Sequence, residues 1–283
     1  MDYKIRITAD AGTLTLSPRS GCRVLDGGLR GFDAPEGEVS LKNAAAESGG
    51  YPVTRRIRSR DLSVTFEVAD GAAVSRYRDL VMRLADPCAD AEIETEMWGR
   101  TRRISVIPDG APEITYSGRG EPMRVRMDFT APNPFFTGTA PVIGSPASGT
   151  ALLSFPLTML SGAGAVTGMT AGRSALRVFN PGDAECGFRL KLRSVGGPVT
   201  KPMISCRGLH IRPFGVLVEG GEWTVVTEPG KKGIFENGSS VGFYSDSTFF
   251  GLLPGENLIS VSATGGAQNA VFETEFTPLY FGA

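Results

Sequence analysis

Ala131-Pro-Asn-Pro-Phe-Phe-Thr-Gly138 is the stretch on which the predicted fold of this chain depends. Pro132 and Pro134 lack a backbone N–H and favour an extended path, so the strand that precedes them cannot continue. Phe135 and Phe136 are too apolar for a free linker, and we expect them to pack where two structural units meet. A strand end that carries two core aromatics would produce the same spacing. The stretch therefore predicts a boundary between an N-terminal and a C-terminal unit.

Two segments before this boundary alternate regularly between apolar and polar residues. Residues 122–131 run directly into the boundary, and residues 61–69 show the same period of two. Alternation of this kind predicts a strand with one buried and one solvated face. The residues predicted to face the core are Leu62, Val64, Phe66, Val68, Met123, Val125, Met127 and Phe129.

One amphipathic helix is predicted in the N-terminal unit, over residues 72–85. Spacings of three and four place its apolar residues on one side. This side consists of Val74, Tyr77, Leu80, Val81 and Leu84. Asp70 is a candidate N-cap, and Pro87 is expected to end the helix. A single helix lying on a sheet buries the apolar faces of both elements.

The rest of the N-terminal unit combines short strands with one poorly patterned region. Further strands are predicted over residues 4–8, 12–16, 91–98, 101–107 and 113–116, with a hairpin turn at Gly99-Arg100. Residues 20–52 have weak periodicity, which is typical of functional arms or assembly loops. Arg55, Arg56, Arg58 and Arg60 follow. They form either the solvated face of an edge strand or a contact with an acidic neighbouring subunit, and the sequence leaves both interpretations open.

The C-terminal unit follows a turn-rich linker over residues 141–149 and shows only short strand-like segments. These cover residues 151–160, 175–180, 187–193, 202–206, 222–227, 247–253, 257–262 and 270–277. Turn signals such as Gly220-Gly221 and Asn237-Gly238 separate them, a pattern typical of an antiparallel β-sandwich. The predicted fold class is mainly β. One domain with a single α-helix covers residues 1–138, and a β-sandwich covers residues 139–283.

Composition fits a folded protein of about two domains. The chain has 283 residues, of which 41% are hydrophobic and 21% charged, and glycine and proline together make up about a fifth. The net charge of −1 gives no whole-chain basic excess that would indicate nucleic-acid binding. No segment has the length of a signal-peptide core or a membrane span. We therefore expect a soluble protein that is made in a cytoplasm.

The residue types that carry catalysis are present but not in recognisable arrangements. His210 is the one histidine, and no nucleophile stands at a triad spacing from it. Cys22, Cys88, Cys186 and Cys206 form no CxxC pair, and Cys206 with His210 supplies too few ligands for zinc. All four cysteines are predicted to be small buried residues. The sequence predicts no catalytic, cofactor-binding or metal-binding residue.

Two further groups of residues are of the types that act on or bind carbohydrate. Glycosidases use a pair of facing carboxylates, and the loops offer Glu219, Glu222, Glu236 and Asp246. A β-sandwich of this size carries as many acidic residues without any such role. Trp98 and Trp223 are candidates to line a sugar-binding groove, although burial in the core explains them more simply.

The motifs taken in order resemble the distal tail protein (Dit) family of long, non-contractile-tailed bacteriophages and related prophages. The N-terminal part has strands, one helix that ends at Asp86-Pro87, and a closing Ala131-Pro-Asn-Pro-Phe-Phe136 similar to the family's aromatic ending. The C-terminal part has Val178-Phe-Asn-Pro-Gly-Asp183, and Ser247-Thr-Phe-Phe-Gly-Leu-Leu-Pro-Gly-Glu-Asn257. The chain ends with Tyr280-Phe281, as in that family. Residues 20–51 do not align with the family's pattern.

This resemblance implies a structural protein of the virion tail rather than an enzyme. Members form a homo-hexameric ring at the distal end of the tail tube. An N-terminal tail-tube-like domain continues the channel, through which DNA only passes. A galectin-like or carbohydrate-module-like β-sandwich points outward, contacts baseplate, tail-tip and receptor-binding proteins, and in some members contacts host cell-wall glycans. No cofactor or membrane contact is implied. Residues 55–60 and nearby loops are our candidates for contacts between subunits.

A different class of function is a carbohydrate-binding adhesion module in which the sandwich acts alone. It predicts saturable binding to cell-wall glycans that is lost when an exposed aromatic residue such as Trp223 is replaced. A cell-wall hydrolase is a third possibility, and the absence of a visible acid–base pair argues against it.

Overall fold

The computed structural model of the chain describes residues 3–43, 48–69, 73–116, 118, 121–144 and 175–283. The chain divides into two compact units. Unit 1 contains Met1–Thr139 together with Leu279–Ala283, and unit 2 contains Ala140–Pro278. The fold is mainly β, as predicted, and the described residues contain one α-helix. No helix in these residues is long and apolar enough to span a membrane.

Both units consist mostly of short strands, numbered in chain order. In unit 1 they are β1 (Tyr3–Ala9), β2 (Gly12–Leu16), β3 (Cys22–Arg30), β4 (Gly37–Asn43), β5 (Gly50–Ile57), β6 (Arg60–Val68), β7 (Ala91–Met97), β8 (Arg100–Pro108), β9 (Glu113–Thr115), β10 (Met123–Ala131) and β11 (Phe136–Gly138). In unit 2 they are β12 (Val142–Gly144), β13 (Ala175–Asn180), β14 (Phe188–Ser194), β15 (Val199–Cys206), β16 (Leu209–Ile211), β17 (Val216–Leu217), β18 (Glu222–Val226), β19 (Gly233–Glu236), β20 (Ser239–Ser240), β21 (Gly255–Gly265) and β22 (Ala270–Phe276). The last strand, β23 (Leu279–Tyr280), belongs to unit 1.

Unit 1 is built on one antiparallel sheet whose main order is β2-β1-β7-β8-β10-β6-β3. The alternating segments predicted from the sequence form β6 and β10, which are neighbours in this sheet and pair along their whole length. All eight residues predicted to face the core in these two strands are buried. The strand β10 ends at Ala131, where Pro132 removes the next donor. The sequence therefore predicted these two strands and their buried faces correctly.

The helix α1 (Val74–Leu84) packs beside β2 in unit 1. Val81 and Leu84 are buried, and Val74, Tyr77 and Leu80 pack against the same core, so the predicted apolar side is confirmed. Asp70, the predicted N-cap, lies outside the described residues. In the structure Ala73 occupies the N-cap position and makes no side-chain capping bond.

The region 20–52, in which the sequence shows weak periodicity, contains β3, β4 and the start of β5. In β3 the register shifts between Val24 and Leu29, so the alternation is interrupted at the bulge. The strands β4 and β5 pair only with each other and form a hairpin. Nearly all residues of this hairpin are exposed on both faces. Burial therefore imposes no strict period on the sequence there, which is why these strands were not predicted.

Unit 2 contains two antiparallel sheets that bury alternate residues, the arrangement of a β-sandwich. One sheet has the order β12-β22-β14-β18-β19-β20, and the other has the order β13-β21-β15-β16, with β17 also paired to β15. Their buried residues include Leu190, Leu192, Ile204, Ile259 and Phe272. We call the sheets sheet D and sheet F, respectively.

Two of the strands predicted in unit 2 are not found among the described strands. Residues 151–160 lie outside the described residues. Residues 247–253 are not a strand, although Phe250 and Leu252 are buried. Much of their backbone bonds to side chains instead of a ladder, since Gly251 donates to Glu185 and accepts from Arg207. The apolar pattern reflected burial, and the one strand-like pairing in this segment is the isolated bridge between Leu252 and Cys186.

The chain returns to unit 1 at its C-terminus, a feature that the predicted domain of residues 139–283 did not include. The strand β23 pairs with β11, joining Tyr280 to Phe136 and Leu279 to Thr137. Phe136 is fully buried in the core of unit 1, and the ring of Phe135 contacts that of Phe281. Both aromatics of the boundary stretch thus have contacts inside unit 1. Unit 2 is inserted between two paired strands of unit 1.

Candidate functional site: assembly surfaces

The exposed β4–β5 hairpin is the most distinctive surface of unit 1. Residues paired across an antiparallel hairpin share one face. Gly37 is paired with Ile57, Val39 with Arg55, and Leu41 with Pro52. We call this side the apolar face of the hairpin. Val39, Leu41 and Ile57 on it are 56%, 63% and 39% exposed.

The opposite face of the hairpin is polar. It carries the pairs Glu38 with Arg56 and Ser40 with Thr54. Arg58 donates to Glu38 at 2.7 Å, and Arg56 donates to the same carboxylate. These two bonds, with that from Arg58 the larger, lower the pKa of Glu38 to about 2. The Glu38 carboxylate therefore stays ionised and paired with both arginines well into the acidic range.

The four arginines at positions 55, 56, 58 and 60, for which the sequence left two interpretations open, lie in three different environments. Arg56 and Arg58 are paired within the hairpin. Arg60 is buried in unit 1. Arg55 lies on the apolar face, and no ion pair to it occurs among the described residues. Among these four arginines, Arg55 is therefore the one whose charge could pair with a carboxylate of another molecule.

A cleft with acidic and apolar walls lies elsewhere in unit 1, with a volume of about 510 Å³. Asp10, Asp90 and Glu92 contribute carboxylates, and Val106 and Pro132 are among its apolar lining residues. Pro132 belongs to the stretch at the boundary between the units. We call this the acidic cleft. Its chemistry is complementary to an apolar surface that carries one unpaired arginine.

The turn between β7 and β8 presents an exposed tryptophan. Trp98 and Gly99 connect the paired residues Met97 and Arg100, with φ of +49° and +73°. A two-residue turn with both φ positive is the hairpin turn that favours asparagine followed by glycine. Unit 2 has such a turn at Asn237-Gly238, with φ of +49° and +82°. Trp98 adopts the same conformation with a side chain that is 67% exposed.

The residues considered for catalysis do not converge on a reaction centre. His210 Nε2 lies 3.4 Å from Asp246, which also accepts a bond of 2.6 Å from Arg212. Glu222 is instead paired with Arg193 across two strands. No group of three or more histidine, cysteine or acidic residues suited to a metal occurs in the described part of the chain.

Trp223 is 3% exposed and belongs to the sandwich core, as the simpler of the two interpretations of this residue predicted, so its side chain is not available for glycan contact. The prediction that all four cysteines are buried was wrong for Cys88, which is exposed, whereas Cys22, Cys186 and Cys206 are buried as predicted. Burial raises the pKa of Cys22 to about 11 and that of Cys186 to about 12, so neither is a reactive thiolate.

Comparison with solved structures gives a match over the whole chain. The crystal structure of SPP1 Dit, described as a paradigm of the hub adsorption apparatus in phages that infect Gram-positive bacteria, aligns with a TM-score of 0.67 at 14% identity. The alignment covers 97% of this chain and 98% of that protein. The chain has the fold of a Dit protein. The resemblance noted in the sequence motifs is therefore supported by the complete fold.

A second match is more distant. A chain of the phage P2 baseplate, in its activated conformation with calcium, aligns at 9% identity over 98% of this chain and 97% of that chain, with a TM-score of 0.44. Neither family models nor curated proteins matched the sequence. The Dit fold assignment accordingly depends on the SPP1 protein, whose alignment covers nearly the whole chain.

Proposed function

We propose that this chain is a structural protein of a phage tail that assembles into a six-fold ring at the distal end of the tail tube. The observation that carries this proposal is the full-length match in fold to a phage hub protein. In this role unit 1 continues the channel of the tube, and unit 2 contacts tail-tip and receptor-binding proteins. The protein is made in the bacterial cytoplasm and acts in the virion, where DNA passes through the ring.

The exposed hairpin supports contact between identical subunits. A ring of identical copies needs two different surfaces on each subunit, one of which binds the other on the next copy. The apolar face of the hairpin and the acidic cleft are two such surfaces. Val39 and Leu41 can cover the apolar walls of the cleft, while Arg55 reaches its carboxylates. Exposed apolar area of this kind marks a binding site more often than a free surface.

The proposed role is structural rather than catalytic. The ion pairs on the outer side of sheet D link β14 to its neighbours, as Lys191 pairs with Glu273 on β22 and Arg193 with Glu222 on β18. Paired charges of this kind solvate a surface and do not prepare a general acid or base. Surfaces alone are sufficient for a ring-forming hub.

Mass measurement of the purified full-length protein tests the proposal. Light scattering after size exclusion is expected to give a species of about six chains, and electron microscopy is expected to show a ring with a central channel. The same measurement is made after adding the purified tail-tube protein of the same phage, in case the ring needs a template. Monomers under both conditions would contradict the proposal.

The conformation of Trp98 leads to a prediction about stability and assembly. A bulky residue with positive φ costs about 1 kcal/mol relative to asparagine or glycine. A tryptophan at this exposed turn is explained if its indole ring binds a neighbouring tail component. We expect Trp98→Asn to raise the unfolding temperature slightly and to weaken binding of the ring to the tail-tube protein about tenfold.

Thermal unfolding and co-sedimentation with tail tubes measure these two effects of Trp98→Asn. Asn237→Gly alters the corresponding turn of unit 2 and serves as a matched control that leaves tube binding unchanged. If Trp98→Asn binds tail tubes as well as the unaltered protein does, the indole has no role in assembly.

A further inference from the structure

The strand β1 extends beyond its partner β2 at one end of the unit 1 sheet. Pairing of β1 with β7 includes Tyr3 and Lys4, which lie opposite Met97 and Glu96. Pairing of β1 with β2 reaches only as far as Ile5, and no residue of β2 is in register with Tyr3 or Lys4. The first two residues of β1 therefore have a strand neighbour on one side and an open strand edge on the other.

The chain that follows β2 does not close this edge, because it bends into a turn that bonds to itself. The Ser17 N–H donates to the Cys22 carbonyl at 3.0 Å and to the Ser20 hydroxyl at 3.0 Å. The Ser20 N–H donates in return to the Ser17 hydroxyl at 3.0 Å. Pro18 has no backbone N–H. The first donor beyond β2 is thus used within the turn, and the next position has none to offer to β1.

A cleft of about 570 Å³ lies at this strand edge. Binding pockets for ligands have volumes of roughly 300–1,000 Å³, so the cleft is large enough to hold part of another molecule. Its lining residues include Tyr3, Lys4, Ser17, Pro18, Glu96 and Gly99. The Val24 N–H donates to the Tyr3 hydroxyl at 2.8 Å, which fixes the tyrosine side chain. The start of β1 and the turn after β2 therefore form two walls of a defined cleft.

The charges around the cleft are mainly positive. Lys4 and Arg19 line it, and Arg100 directly follows the lining residue Gly99. The Glu96 carboxylate is an acidic group in the lining and stands opposite Lys4 in the register of β1 and β7. No ion pair to Lys4 or to Arg100 occurs among the described residues. A ligand that carries carboxylate groups is therefore complementary to the cleft.

Apolar area lies next to these charges. Trp98 immediately precedes Gly99 in the turn between β7 and β8, and it is 67% exposed. Side chains alternate between the two faces of a strand. A strand placed beside Tyr3 and Lys4 would direct one set of side chains to the face of Lys4 and the other set to the face of Tyr3. The cleft is therefore suited to a segment in which acidic and apolar residues alternate.

We propose that this cleft binds an extended acidic peptide segment of another protein by strand addition. In this mode of recognition, the peptide backbone pairs with an open strand edge, and alternate side chains provide specificity. The peptide extends the sheet beside Tyr3 and Lys4, where β2 has ended. Its acidic side chains face Lys4, and the apolar residues between them pack near Tyr3 and Trp98. The site belongs to unit 1 alone and does not depend on ring formation.

Two labelled, end-blocked octapeptides test the charge preference of the cleft in the full-length protein. Glutamate alternates with valine in one peptide, and lysine alternates with valine in the other. Fluorescence anisotropy gives the Kd, and the emission of Trp98, the exposed one of the two tryptophans, reports whether the peptide reaches the cleft. We expect saturable binding of the glutamate peptide and at least about tenfold weaker binding of the lysine peptide.

A charge reversal in the cleft tests where the peptide binds. Lys4→Glu is expected to raise the Kd of the glutamate peptide about tenfold and to lower that of the lysine peptide. Lys232→Glu makes the same change at an exposed position of unit 2 and should leave both Kd values unchanged. Circular dichroism checks that both variants fold. Lys4→Gln, which removes the charge without adding repulsion from Glu96, is expected to raise the Kd of the glutamate peptide about threefold.

Methylation of the peptide backbone tests strand pairing. Only alternate residues of a strand direct their N–H groups toward a given neighbour. We therefore expect N-methylation of one alternate set in the glutamate peptide to abolish binding and methylation of the other set to leave it intact. The proposal is overturned if the glutamate peptide does not bind, if the lysine peptide binds as tightly, if neither methylated set loses binding, or if Lys4→Glu changes neither Kd. Binding to monomers but not to the assembled ring would assign the cleft to contacts between copies of this chain, which also overturns the proposal.

Discussion

Replacing Val39, Leu41 and Ile57 together with threonine is expected to convert the assembled ring into monomers without unfolding unit 1. Threonine retains strand propensity and removes apolar contact area, so the hairpin still forms. Burial of each aliphatic side chain stabilises a contact by about 1.5–3 kcal/mol. The three changes together weaken each subunit contact by about 4 kcal/mol or more, which lowers the association constant about a thousandfold.

The matched control alters the same number of residues on the polar face of the hairpin. Ser40→Thr, Thr54→Ser and Lys42→Arg conserve the character of that face and are expected to leave the ring intact. Light scattering gives the oligomeric state of both triple variants, and circular dichroism confirms their strand content. A ring that persists after the three threonine substitutions would show that the apolar face is not the subunit contact.

A charge exchange identifies the surface that receives the hairpin. Arg55→Glu is expected to weaken the ring, because the glutamate would face Asp10, Asp90 and Glu92 of the neighbouring copy. Adding Asp90→Arg to the same chain is expected to restore assembly. Arg56→Glu on the polar face, combined with Asp90→Arg, serves as the control and should show no such rescue. Failure of every combination to restore the ring would place the receiving surface outside the acidic cleft.

The parts of the fold that the sequence predicted share one physical property. In β6, β10 and α1 one face is buried and the other is solvated. Apolar residues therefore recur in the sequence with the period of the strand or the helix. Leu62 and Phe129, for example, are buried on strands whose neighbouring positions are polar. Local pattern and tertiary structure agree there, and the prediction needed no long-range information.

The β4–β5 hairpin shows why other parts were missed. The segment from Glu38 to Lys42 does alternate, and that short signal could have indicated a strand. The bulge between Ser40 and Leu41 and the proline at position 52 obscured its partner. Because the described part of the chain buries neither face of this hairpin, burial imposes no period on its sequence. A hairpin that its own chain leaves exposed is therefore the kind of element that a local pattern describes least well.

Long-range contacts account for the remaining differences. Trp98 and Trp223 both lie near one end of a predicted strand, yet one is exposed at a turn and the other is buried in the sandwich. The pairing of Tyr280 with Phe136 joins strands that are more than a hundred residues apart. Neither result follows from a local pattern. The motif resemblance, which includes the order of elements over the whole chain, was the better guide to both units.

Replacing Arg60 with alanine is expected to destabilise unit 1 more than any other single change in the arginine run. Arg60 is 4% exposed, and its guanidinium donates to the carbonyl oxygen atoms of Gly31 at 2.9 Å and Asp33 at 2.8 Å. It also donates to the carbonyl of Phe281 and lies 5.1 Å from the centre of the Phe136 ring. The Arg60 side chain thus contacts the loop that follows β3, the boundary stretch and the C-terminal segment.

The expected cost follows from what Arg60→Ala leaves behind. Three carbonyl groups lose a charged donor, and each buried unsatisfied group costs about 1–3 kcal/mol. We expect the free energy of unfolding of unit 1 to fall by about 3–5 kcal/mol and its unfolding temperature to fall by about 10 °C. Arg60→Lys keeps the charge but cannot donate in two directions from a planar group, so an intermediate loss is expected. Arg58→Ala removes an exposed ion pair and is expected to leave unfolding unchanged.

Hydrogen exchange separates this local effect from a general loss of stability. In Arg60→Lys, which we expect to fold, peptides that contain β11 and β23 should exchange faster, because Arg60 holds the segment that pairs with β11. Peptides from β14 and β18 in unit 2 should exchange as before. If hydrogen exchange accelerates equally in both units, or does not accelerate near Phe136, Arg60 does not specifically stabilise the pairing of β11 with β23.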